Sequence, residues 1–175
     1  MVPVELETQR LKLRFWQEED IDDYAEICAD PEVMRFLGGK TFTRLEAWRH
    51  MAFLIGHWQL RGFSHWAVEE KSSQRLIGRI GFLHPQGWPD FEIGWTLGRQ
   101  SWGKGYATEA ATTALDYAFN ELNKEQVISL IDPNNTASIK VAERLGESRQ
   151  GETELMGMQV EIYGISKDQW SCMKG

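Results

Sequence analysis

Apolar and polar residues alternate at 11–15, Leu-Lys-Leu-Arg-Phe, which predicts a strand. Residues 18–28 open with acidic side chains and continue with helical spacing until Asp30-Pro31 interrupts them. Thr43-x-x-Glu46 has the form of a capping box, in which hydroxyl and carboxylate each satisfy a backbone N–H at a helix start. The helix it predicts carries Leu45, Trp48, Met51, Ile55 and Trp58 on an apolar stripe and stops at Gly62. Trp48 and Trp58 are therefore expected in the core.

Three strand-like runs follow, at 64–70, 75–83 and 91–97. Their links, 71–74 and 84–90, are short and turn-rich. Parallel neighbours need a crossover of about a dozen residues or more, so these three runs predict an antiparallel meander. A helix-like run then continues to Leu122, with Ala107, Ala110, Ala111, Ala114, Leu115 and Ala118 on one face. Residues 126–131 read as a buried strand, and 135–145 as a helix stopped by Gly146. Strands at 147–153 and 159–166 complete the pattern. The sum is a single α/β (α+β) domain over residues 1–175. Its sheet is mixed and mostly antiparallel, with roughly six to seven strands flanked by about four helices.

Composition narrows the function classes. With 175 residues, 42% of them apolar, the chain can bury one real core. A net charge of −7 argues against a general nucleic-acid binder. Cys28 and Cys172 are too far apart for a metal motif or a disulfide framework, and His50, His57, His65 and His84 show no metal spacing, so no metal is expected. No apolar run approaches the length of about 20 residues that spans a bilayer. Charged and apolar residues interleave from Met1 to Leu13, which does not resemble a secretory leader. A cytoplasmic protein, monomer or homodimer, with no membrane or nucleic-acid partner is expected.

The candidate chemistry lies in Ser101-Trp102-Gly103-Lys104-Gly105-Tyr106-Ala107-Thr108-Glu109-Ala110, between a strand and a long helix. Gly103 and Gly105 let the backbone turn its N–H groups toward one point, and the new helix adds its own free N–H groups. That arrangement suits a phosphate or pyrophosphate. Residues 98–105 nearly match a nucleotide-binding G-x-x-x-x-G-K-[ST] loop, and Asp132 ends the following strand as a magnesium ligand would. The position that must carry a hydroxyl for Mg²⁺ is Gly105, however, and the strands before it form a meander. A dinucleotide G-x-G-x-x-G fails as well, because position 108 is Thr.

The order strand, glycine turn, long helix, strand, then a helix opened by Asn135-x-x-Ser138 resembles the GNAT superfamily of N-acetyltransferases over essentially the whole chain. The superfamily's pyrophosphate loop, [QR]-x-x-G-x-[GA], maps to residues 102–107, with Gly105 and Ala107 matching and Trp102 replacing Gln or Arg. Trp102 to Ala110, Glu7 to Arg14, Glu92-Ile93-Gly94-Trp95 and Leu145-Gly146 resemble the branch of the RimJ/RimL ribosomal-protein alanine acetyltransferases.

The resemblance implies a sheet splayed between the strands at 91–97 and 126–131, with acetyl-CoA in the gap. Its pantetheine would pair with the backbone of Trp95, Thr96 and Leu97. Its pyrophosphate would sit on Trp102, Gly103, Lys104, Gly105, Tyr106, Ala107 and Thr108, and Asn135 and Ser138 would flank the pantetheine. An amine would attack the thioester directly. Glu92, beside the small residues Gly94 and Thr96 on one strand face, is the expected base. The general-acid tyrosine of many members falls at Ala142, which leaves Ser138 as the nearest hydroxyl.

The acceptor would be a protein N-terminal α-amine, a polyamine or another small amine. The alternative is an acyl-CoA-binding module without useful turnover. On the acceptor side, the acidic run Glu18, Glu19, Asp20, Asp22, Asp23 and Glu26 could attract a cation but reads first as a helix start. Trp88, between Gly87 and Pro89, is a candidate wall or lid of the cleft.

Overall fold

The computed structural model describes residues 4–175. Eight strands form one sheet: β1 (Leu6–Glu7), β2 (Leu11–Arg14), β3 (His65–Glu70), β4 (Arg75–Leu83), β5 (Glu92–Leu97), β6 (Gln126–Ile131), β7 (Ser148–Leu155) and β8 (Met158–Ser166). Their order is β1-β2-β3-β4-β5-β6-β8-β7, antiparallel throughout except where β5 meets β6. The helices are α1 (Ile21–Ala29), α2 (Pro31–Met34), α3 (Arg44–Arg61), α4 (Tyr106–Asn120), α5 (Thr136–Arg144) and α6 (Lys167–Lys174). The meander β3-β4-β5 is as expected. The expected counts miss the two-residue β1, the single turn of α2 and the C-terminal α6.

Local signals account for the element ends. Thr43 and Glu46 form the capping box of α3, and Gly62 closes that helix in the left-handed region at φ 79°. Asp30 accepts from the N–H of Glu32 and starts α2, with Pro31 at its first position.

One large core lies between the sheet and α4, joining Leu11, Leu13, Trp66, Phe82, Ile93 and Val127 to the alanines of α4. A second lies between the sheet and the α1–α3 pair. There the α3 stripe differs from expectation. Ala47, Met51, Leu54, His57 and Trp58 are buried, whereas Trp48 is 48% and Leu45 58% exposed. Trp48 and Leu45 instead line a shallow depression with Glu18, Ile21 and Arg44.

The acidic start of α1 is consumed by pairing. Asp20 receives both terminal guanidinium nitrogens of Arg14 at 2.7 and 2.8 Å, in a buried bidentate bridge. Asp22 pairs with Arg44, and Asp23 with Arg75. Glu26 lies 3.9 Å from Arg75 as well, so four of the six carboxylates are tied to arginines rather than open to an acceptor, which fits the plainer reading of a helix start.

Candidate active site

The sheet opens in its middle. β5 and β6 share one residue pair, Glu92 with Ile128, closed by the Ile128 N–H donating to Phe91 O at 3.1 Å. Backbone groups alternate along a strand, so Ile93, Trp95 and Leu97 turn their N–H and C=O groups into the opening. The phase agrees, because the Gly98 N–H donates to Ile77 O of β4 at 2.8 Å, which places Gly98 in step with Glu92, Gly94 and Thr96 facing β4. Ser129 Oγ lies 3.2 Å from Ile93 O, and Trp102 Nε1 donates to Leu97 O at 2.8 Å. Leu97 O is therefore already engaged, and the free backbone edge centres on Trp95.

At the wide end of the opening, Gly103 and Gly105 adopt φ 72° and 79°, a region closed to most side chains. The backbone N–H groups of Gly103 to Thr108 find no backbone acceptor among the described residues. A Cβ at Gly103 would meet nothing within 4 Å, so the concave side of the turn is open. Converging N–H groups at the start of α4, a helix of 15 residues, form an anion cradle. Lys104 is exposed, with Nζ 5.7 Å from the Tyr106 ring.

The cradle is clamped from behind. Glu109 accepts from Thr8 Oγ1 at 2.5 Å, from the Arg10 N–H at 2.9 Å and from Arg10 Nε at 2.7 Å. Burial alone would raise the Glu109 carboxyl, but these donors hold it below the usual range. Tyr106 OH donates to Glu70 Oε1 at 2.6 Å. The Glu109 contacts bring the Thr8–Arg10 segment against the start of α4.

Glu92 stands at the closed end of the opening. Trp88 Nε1 donates to its Oε2, and the Leu130 N–H also favours its charged form. Burial outweighs these and the Arg79 charge, pushing the carboxyl up to about 7. Such a group exchanges protons readily near neutral pH.

Behind Glu92 lies a chain that the sequence reading missed. Arg79 Nη1 donates to His65 Nδ1 at 2.5 Å, which leaves the proton of that ring on Nε2. His65 is 2% exposed, its Nε2 has no partner among the described residues, and it lies 3.3 Å from where a Cβ on Gly94 would sit. Tyr24 OH lies 2.8 Å from His50 Nδ1. Burial, then Arg79, lowers both histidines, His50 to about 3, so both are neutral. The available signal was positional: His65 and Arg79 fall on the same sheet face as Glu92, with a glycine between.

Asn135 caps α5, accepting the Ser138 N–H at 3.2 Å, and Ser138 Oγ accepts from Trp95 Nε1 at 3.3 Å. Ala142 is fully buried with Ile131 and Tyr163. No group of three His, Cys, Asp or Glu side chains among the described residues is placed to hold a metal.

The chain resembles known proteins over most of its length. The family model "Acetyltransferase (GNAT) domain" matches residues 10–147. The chain belongs to the GNAT acetyltransferase family. It is 35% identical over 167 residues to the uncharacterized N-acetyltransferase p20 of Bacillus licheniformis, covering 92% of this chain and 94% of that one. It is 28% identical over 146 residues to spermidine N(1)-acetyltransferase of Escherichia coli, covering 81% of this chain and 75% of that one. The crystal structure of an acetyltransferase from Agrobacterium tumefaciens superposes with a TM-score of 0.84 at 28% identity, over 94% of this chain and 95% of that one. This GNAT domain accordingly has the family's mixed fold, with the opening beside β5 and the cradle at the start of α4.

Proposed function

We propose that this chain transfers the acetyl group of acetyl-CoA to a primary amine by direct attack on the thioester. The observation that carries the reading is the row of free N–H groups from Gly103 to Thr108 at the mouth of the β5–β6 opening. Gly103 to Thr108 would hold the pyrophosphate, and the free edge at Trp95 would pair with the pantetheine. Trp102 and Ser138 would line its path. Asn135 supports it indirectly, by capping α5.

Glu92 is the proposed base. An ammonium must lose a proton before its nitrogen pair can attack, and a carboxylate titrating near 7 suits that transfer. Backbone N–H groups of β5 that face the opening would polarise the thioester carbonyl.

We place the chain in the RimJ/RimL-like branch on its loop and N-terminal strings, acting in the cytoplasm. Among the described residues, no helix is long and apolar enough to cross a membrane. For the acceptor, Arg79 counts against a polyamine. It lies behind Glu92 with no carboxylate at ion-pair distance among the described residues. A cation there favours an amine with a carbonyl or carboxylate oxygen nearby, as in a peptide N-terminus or an amino-acid-like small molecule.

The test is CoA release from acetyl-CoA with a panel of N-terminal peptides, amino acids and polyamines. Acceleration by at least one amine is expected; tight acetyl-CoA binding with no acceleration defeats the enzyme reading. The second reading, binding without turnover, is favoured by Ala142 at the position where the resemblance calls for a tyrosine.

A further inference from the structure

A second carboxyl group reaches the closed end of the opening from the opposite face of the sheet. Glu147 follows α5, is 4% exposed, and has a buried Oε2 with no partner among the described residues. Its Oε1 lies 3.1 Å from Ser129 Oγ, which itself lies 3.2 Å from Ile93 O. Ser129 is the first β6 residue beyond the Glu92–Ile128 pair, and Ile93 is the first β5 residue beyond it. Glu92 and Ile128, as paired residues, share one sheet face, so Ser129 points to the other. The two carboxyl groups thus flank the apex of the opening from its two sides.

Proton counting fixes the state of this chain. A serine hydroxyl has one proton to give. If Glu147 were ionised, its carboxylate and Ile93 O would compete for that proton, and one buried acceptor would go without. A neutral Glu147 resolves the conflict: its O–H bonds to Ser129 Oγ, and the Ser129 O–H bonds to Ile93 O. Burial acts the same way, pushing the Glu147 carboxyl up to about 8; the Ser129 hydrogen bond opposes this and the Glu92 charge adds to it. No cation figures among those influences.

We propose that Glu147, through Ser129, supplies the proton taken up by the departing CoA thiolate, while Glu92 removes the proton from the amine on the other face. The ammonium first loses one proton to solvent through Glu92; the C–N bond then forms as Glu92 takes the second N–H proton, and the C–S bond breaks with its electron pair on sulfur. Sulfur takes the Ser129 proton as Ser129 takes that of Glu147, leaving Glu147 ionised and Glu92 protonated. Transfer of one proton between them through solvent restores the starting state, and the net products are amide, CoA thiol and one proton. Ser129 is the group that meets the sulfur, and Glu147 is a positioning and proton-storing residue behind it. This assignment rests on the acetyl-transfer reading.

The experiment uses the full chain with the best amine of the panel. Glu147→Gln preserves shape and can still donate to Ser129, but it cannot release a proton. The expected result is a kcat at pH 7 lower by roughly tenfold or more, with the KM for acetyl-CoA within about threefold. The wild-type decline of kcat above pH about 8 should also be absent in the variant. A Gln variant that keeps kcat within about threefold overturns the proposal, because the residue then serves only as a hydrogen-bond donor.

A second measurement needs neither variant nor turnover. Carbon-13 NMR of glutamate-labelled wild type should show one carboxyl that stays protonated until pH about 8. Assignment of Glu147 to an ordinary carboxylate titration overturns the proposal. If no amine is acetylated at all, the functional reading fails instead, and the NMR result still decides the state of Glu147.

Discussion

Trp88 Nε1 donates to Glu92 Oε2 at 2.5 Å, so the loop between β4 and β5 folds its indole back onto the first residue of the strand that follows. The contact ties the loop to the proposed base. Removing the carboxylate should lower kcat by roughly a hundredfold at neutral pH. Glu92→Gln should leave acetyl-CoA affinity within about twofold, because the cradle lies at the other end of the opening. Steady-state kinetics with calorimetry checks both.

The indole itself should set the pH at which the enzyme starts to work. A hydrogen bond to the ionised form lowers a carboxyl pKa, so Trp88→Phe should raise that of Glu92 further above about 7. The rising limb of the kcat profile then moves to higher pH. A limb that stays in place would separate Trp88 from the chemistry.

Gly105 precedes α4 at φ 79°, with its N–H in the cradle. Gly105→Val should cost about 1–2 kcal/mol of stability from the left-handed backbone. A branched side chain at the cradle should also weaken acetyl-CoA binding far more than it weakens the fold. Thermal unfolding with and without acetyl-CoA distinguishes the two: the variant should fold and lose most of the ligand-induced rise in Tm.

His50 gives an acid signature. Burial and Arg79 depress its pKa to about 3 in the folded chain, against 6.5 for the free group. Below pH 6.5 the unfolded chain therefore binds a proton that the native chain does not. The stability contributed by the neutral ring is complete above that pH and is lost as pH falls toward 3. Relative to His50→Gln, the wild type should lose about 1.4 kcal/mol for each pH unit below 6.5, measured by urea unfolding.

What the sequence disclosed follows the range of the interactions. The Thr43–Glu46 capping box, the left-handed glycines and the meander depend on neighbours a few residues away, and they stand where the pattern put them. The face of α3 did not. Leu45 and Trp48 compete in sequence with Ala47 and Leu54 for the same role, and only the docked α1 decides that the smaller pair is buried. Glu92 was singled out by its small strand neighbours, and the structure buries its carboxyl against Trp88 and the Leu130 N–H. Glu147 was not, because a carboxylate after Leu145-Gly146 reads as a solvated strand start. Its burial depends on Ser129, 18 residues back, and through it on Ile93. The opening between β5 and β6 came from the resemblance, since no local pattern announces a hydrogen bond left unmade.

Those unmade bonds give the sheet a weak waist. Strands β1 to β5 and strands β6 to β8 are joined across it by one backbone residue pair, by the side chains of Glu92 and Ser129 and by the helices laid over the gap. Breathing of the native chain should concentrate along this line, with amide exchange at Trp95 faster than at residues of equal depth in β4. A substrate that bridges the two halves would then act as a splint, and the cell's supply of that substrate would set how rigid the protein is.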